Sequence, residues 1–131
     1  MIDAVELTTT LPNEQSAEEL VQVLVGSGLC ACVKLAAGVR SSYFWKGSWQ
    51  QAEEHEVRAL SLPEHVLALT KLIVASHPYE VPEVMVRSVS LPHHPYAEWV
   101  TQTIARTTAL TRRRGEGPPA SSSATAHGHR P

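Results

Sequence analysis

Hydrophobic positions along this chain change spacing from alternate residues to a helical period and back, and each change marks an element. The opening "DAVELTT" alternates as a first strand. In "SAEELVQVLVGSG" the residues Leu20, Val21, Val23 and Leu24 form a helical stripe, and Ser16 followed by Glu19 reads as a capping box. Gly26 and Gly28 stop that helix. "LCACVKLAAG" returns to strand character, and "RSSYFWKGSW" extends it. Lys46-Gly47 supplies a tight turn in which Gly47 takes a positive φ. "WQQAEEHEVRALSL" then runs back as a long third strand.

Pro63 fits the first turn of a second helix, where its missing N–H costs nothing. Val66, Leu67, Leu69, Leu72 and Ile73 carry the helical stripe up to Pro78. "EVMVRSVSL" is a fourth strand with Val84 and Val86 on one face and Met85 and Arg87 on the other. Pro95 opens a last helix, in which Tyr96 and Trp99 share a face. The fold class is α+β: the order β-α-β-β-α-β plus a C-terminal helix is the ferredoxin-like, split βαβ pattern.

The second and third strands are predicted to run roughly 13 to 15 residues, against a usual five or six. In a four-stranded sheet the far ends of such a hairpin have no neighbour. They leave backbone groups unpaired and Tyr43, Phe44, Trp45 and Trp49 exposed. Pairing with further copies of the chain removes both problems, so the pattern predicts a homo-oligomer.

Composition narrows the function classes. The 131 residues are 43% hydrophobic with a net charge of -2, which suits one globular domain and not the basic face of a nucleic-acid binder. Apolar runs fall short of the roughly 20 residues a membrane span needs. "MIDAVELTTT" has no basic start, so it is not a secretory signal, and a cytoplasmic protein is expected. Residues 1–110 form the domain. From Thr111 the sequence "TRRRGEGPPASSSATAHGHRP" lacks any large apolar side chain and is expected to be a disordered tail, 111–131.

Candidate chemistry is sparse. No G-x-S-x-G elbow, H-E-x-x-H pair, P-loop or dinucleotide fingerprint is present, so no enzyme and no organic cofactor are expected. Thiolate and imidazole suit copper or zinc. Cys30 and Cys32, on one strand face, and His77, at a helix end, supply them. The plain alternatives stand beside this: cysteines packed as small apolar side chains, and a histidine capping its helix. Glu53, Glu54 and Glu56 read as a solvated strand face, and His93-His94 as a surface loop. Pro78 and Pro82 stiffen the connection carrying Tyr79, Glu80 and Glu83.

Taken together, "LCACVKLAAGVRSSYFWKG", "EEHEV", "HPYEVPEV" and "YAEW" resemble the CutA family of divalent-cation tolerance proteins, in the same order and from the first strand to Trp99. The resemblance implies a ferredoxin-like subunit in a homotrimer similar to PII-type signal proteins, held together by extended strands. It implies tolerance of divalent metal ions, with copper bound in some members. Cys32 matches the family cysteine and His77 the histidine of its H-P-Y segment. Tyr43, Trp45, Tyr79, Glu83 and Trp99 would shape a ligand cleft between subunits. The chain departs from the family where a Lys-Thr pair commonly follows the third strand: "EVRALSLPEHV" lacks it, so no role of that lysine is carried over. A trimeric scaffold and a PII-like metabolite sensor are the alternative functions.

Overall fold

The computed structural model describes residues 2–113, with side chains to residue 107. The elements are β1 (Ile2–Leu11), α1 (Glu14–Gly26), β2 (Cys32–Trp45), β3 (Ser48–Ser61), α2 (Val66–Ser76), β4 (Met85–Leu91) and α3 (His94–Arg113), with a single 3₁₀ turn at Pro63–His65 leading into α2. The strands lie in the order β2-β3-β1-β4, each neighbouring pair antiparallel. That is the predicted ferredoxin-like topology. α3 reaches Arg113, and the rest of the expected tail, 114–131, lies outside the described residues.

Alternation along the strands divides the core in two. One face of the sheet gives Val5, Leu7, Leu11, Val57 and Ala59, which pack against Ala17, Leu20 and Leu24 of α1 and Leu69 and Ile73 of α2. The other face gives Ala4 and Leu91, which pack against Ala97, Val100 and Ile104 of α3. α3 covers only that end of its face. Farther along, Lys34, Ala36, Arg58, Met85 and Arg87 remain exposed.

Three local expectations need correction. α1 is capped by Asn13, whose side chain accepts from the Ser16 N–H at 2.8 Å. Ser16 sits inside the helix and donates its hydroxyl to the Asn13 carbonyl, so Ser16 and Glu19 form no capping box. Leu67 lies on the solvent side of α2 at 69% exposure, leaving the stripe to its neighbours. The last helix begins at His94, with Pro95 in its first turn.

The long hairpin is as the sequence predicts: β2 and β3 are 14 residues each. Lys46 (φ 48°) and Gly47 (φ 84°) both take positive φ, the requirement of the two-residue turn that follows the natural twist of a hairpin. A bulge between Ala36 and Val39 bends β2, and Gly38 within it takes φ 80°, a backbone region open to glycine. β1 pairs with β3 only from His55 to Ser61. Beyond that point, among the described residues, β2 and β3 pair only with each other, out to Trp45 and Ser48. This outer ribbon carries Phe44 and Trp49 at 60% and 73% exposure, their rings edge-to-face at 5.7 Å.

Candidate functional site

The chain leaves α2 at His77 in an extended conformation (φ -88°, ψ 137°), as the following proline demands. The His77 ring does not cap its own helix. It crosses to the end of β1, where Nε2 lies 2.9 Å from the Thr10 carbonyl and 3.1 Å from the Thr9 hydroxyl. The Tyr79 backbone N–H donates to Nδ1 at 3.1 Å. A carbonyl can only accept and a backbone N–H can only donate, so Nε2 carries the proton and Nδ1 does not. These are the hydrogen bonds of a neutral imidazole. To bind a metal, the ring would have to give up one of them.

Tyr79 continues the cluster. Its ring lies 4.9 Å from that of His77, and its hydroxyl donates to Glu54 Oε2 at 2.7 Å. Glu54 is 1% exposed, so the acidic run on β3 is not wholly a solvated face. Glu83, at the far end of the same loop, accepts from the Thr10 hydroxyl at 3.4 Å. The loop between α2 and β4 is thus fastened to β1 through His77 and Glu83 and to β3 through Tyr79. Sequence reasoning missed Thr9, Thr10 and Glu54. Alternation placed Glu54 beside Glu56, and nothing local signals that a tyrosine 25 residues away reaches it.

The two cysteines part company. The strand begins at Cys32, not before it, so Cys30 and Cys32 do not share a strand face. Cys30 is buried in the core beneath α1 and α2. Burial pushes its thiol up to about 12, partly opposed by a hydrogen bond with Ser27 and reinforced by Cys32 nearby. Cys32 is half-buried on the opposite face of the sheet, in a cavity of about 210 Å³ with Glu6, Lys34, Arg58, Leu60 and Tyr96. Among the described residues no three His, Cys, Asp or Glu side chains converge as metal ligands would. Within the described chain Cys30, Cys32 and His77 do not converge.

The residues expected to shape a ligand cleft lie on three parts of the fold. Tyr43 and Trp45 are on the outer ribbon, the Lys46 ammonium lying 5.8 Å from the Trp45 ring. Tyr79 and Glu83 are on the fastened loop. Trp99 is on α3, 46% exposed and stacked on Tyr96 at 5.7 Å. His94 contacts Glu98 one turn along α3, so it belongs to that helix and not to a loop.

The family model for CutA1 divalent ion tolerance protein matches residues 5–103. A divalent-cation tolerance protein CutA of Pectobacterium atrosepticum is 34% identical over 79% of this chain and 94% of its own. One of Yersinia pestis is 33% identical over 78% of this chain and 86% of its own. The crystal structure of CutA from Xylella fastidiosa superposes with TM-score 0.74 at 32% identity, covering 79% of this chain and 99% of the other. CutA1 from Oryza sativa gives TM-score 0.74 at 27% identity, over 78% and 94% of the two chains.

Proposed function

Since the chain belongs to the CutA1 divalent ion tolerance family, we propose that it serves tolerance of divalent cations, copper among them, as a homotrimer that binds metal or a small ligand at clefts between subunits. One observation carries this reading. Among the described residues the outer half of the β2–β3 hairpin has no third strand, and it bears exposed aromatic side chains. A bare two-stranded ribbon is marginal in water, and its open edges invite a neighbouring chain. Seating it on another subunit would bring Tyr43 and Trp45 of one chain toward the surface of the next. The clefts this creates are where donors that do not converge within one subunit can meet.

Two of the expected donors are poorly placed for a metal. His77 uses both ring nitrogens internally, and Cys30 is a buried thiol. Cys32 and Glu83, both half-buried, are the donors this reading relies on. Copper(II) and zinc(II) titrated into the metal-free full chain test it, beside Cys32→Ser and Glu83→Gln. Saturable binding weakened at least tenfold in either variant is expected. Equal affinity in both variants would remove these residues from the site.

A further inference from the structure

Three features meet at one point of the β2–β3 hairpin. β1 pairs with β3 as far as His55, so Glu54 is the first residue of β3 beyond the third strand. The bulge in β2 lies directly across from it, between Ala36, opposite Glu56, and Val39, opposite Glu54. Gly38 within the bulge has φ 80°, and a Cβ there would meet nothing within 4 Å. A bulge takes a residue out of the ladder and lets the strand bend. A few such residues that absorb backbone rotation are what a hinge consists of. The root of the ribbon is built as one.

At that same point the body of the subunit reaches across. Tyr79, on the loop between α2 and β4, donates its hydroxyl to Glu54 at 2.7 Å, and both side chains are buried. The donor end is stiff. Pro78 and Pro82 restrict the loop backbone, and the His77 ring, 4.9 Å from that of Tyr79, is held on the Thr10 carbonyl. Farther out, the bonds from Gln51 to Ser42 and from Gln50 to Ser48 join ribbon residues to one another, so they cannot fix the ribbon's angle to the sheet. We infer that Tyr79 is a strut: by holding Glu54 beside the hinge at Gly38, the loop between α2 and β4 sets the angle at which the outer ribbon leaves the sheet. The contact is buried within one chain and does not depend on what covers the sheet. Taken with the assembly reading, on which this consequence rests, the angle decides whether Phe44 and Trp49 meet a neighbouring subunit.

Amide exchange of the full chain at one fixed concentration, read by mass spectrometry of its fragments, tests the strut. In Tyr79→Phe, exchange should quicken roughly tenfold in residues 39–44 and 49–54, while residues 4–8 and 57–60 at the sheet centre stay within about twofold of the parent. Ser61→Ala is the control. It removes another buried hydrogen bond, the 2.5 Å donation to the Leu29 carbonyl at the far end of β3, and should leave the ribbon's exchange unchanged. A bond that only adds stability would quicken the sheet centre and the ribbon alike. An unchanged ribbon in Tyr79→Phe, or equal quickening of the ribbon in Ser61→Ala, overturns the inference. Native mass spectrometry of the same samples separates the two ideas. Single chains whose ribbon loosens in Tyr79→Phe alone refute the assembly and support the strut, and trimers whose ribbon is unaltered by that change refute the strut alone.

Discussion

Replacing Tyr79 with phenylalanine removes one oxygen and leaves the ring that packs on His77. The lost bond is the 2.7 Å donation to Glu54, made where Tyr79 is 5% and Glu54 1% exposed. A hydrogen bond to a charged group contributes about 1.5–3 kcal/mol, and a buried acceptor that loses a donor keeps its desolvation penalty. Since phenylalanine fills the same space, no cavity cost adds to this. We expect a loss of about 2 kcal/mol, which at a urea dependence of about 2 kcal/mol per molar moves the midpoint down by about 1 M. The assay is urea unfolding at one fixed protein concentration, because any assembly makes stability concentration-dependent. Glu54→Gln and the double variant complete a cycle, with a coupling of about 1 kcal/mol expected. Amide exchange should also quicken across residues 77–84. A Tyr79→Phe midpoint within about 0.2 M of the parent would refute the argument that this bond fastens the loop.

Other consequences are smaller but as direct. Asn13→Ala removes the side-chain acceptor for the Ser16 N–H and should cost about 1 kcal/mol in the same urea assay, while Glu19→Ala should leave the midpoint nearly unchanged. Gly47→Ala meets no atoms within 4 Å, so its cost, roughly 1–2 kcal/mol, should come from the positive φ alone; Lys46→Asn should change stability in the opposite direction by a few tenths, since asparagine tolerates that conformation. Cys30 holds its proton to about 12 when folded but ionises near 9 when unfolded. The unfolded chain therefore binds fewer protons in that window, and this residue's contribution to stability is lost as pH rises from 9 towards 12. Cys30→Ala should flatten that part of the pH profile.

Much of the fold could be read from local chemistry. The Lys46-Gly47 turn follows from the twist a two-residue hairpin needs, and the length of β2 and β3 follows from strand character on both sides of it, interrupted in β2 by the bulge between Ala36 and Val39. Errors came where two local rules competed. Ser16 and Glu19 satisfy the spacing of a capping box, yet Asn13 two residues after the strand end captures the free N–H first. Strand alternation read through "LCACV" puts both cysteines on one face. In the fold the Ala31 N–H bonds to the Leu60 carbonyl, and Cys30 turns into the core before regular pairing starts at Cys32. The candidate site was legible only in part. Proline stiffness marks the loop that holds His77, Tyr79 and Glu83, but its anchors, Thr9, Thr10 and Glu54, are distant in sequence and follow no spacing rule.

All of the functional reading depends on the outer ribbon finding a partner. The most direct test is the mass of the untagged full chain in native solution at micromolar concentration, by light scattering. The account predicts a single species near three times the 14.3 kDa chain mass, and one that dissociates when Phe44 and Trp49 are both changed to serine. A stable species at 14.3 kDa would contradict it.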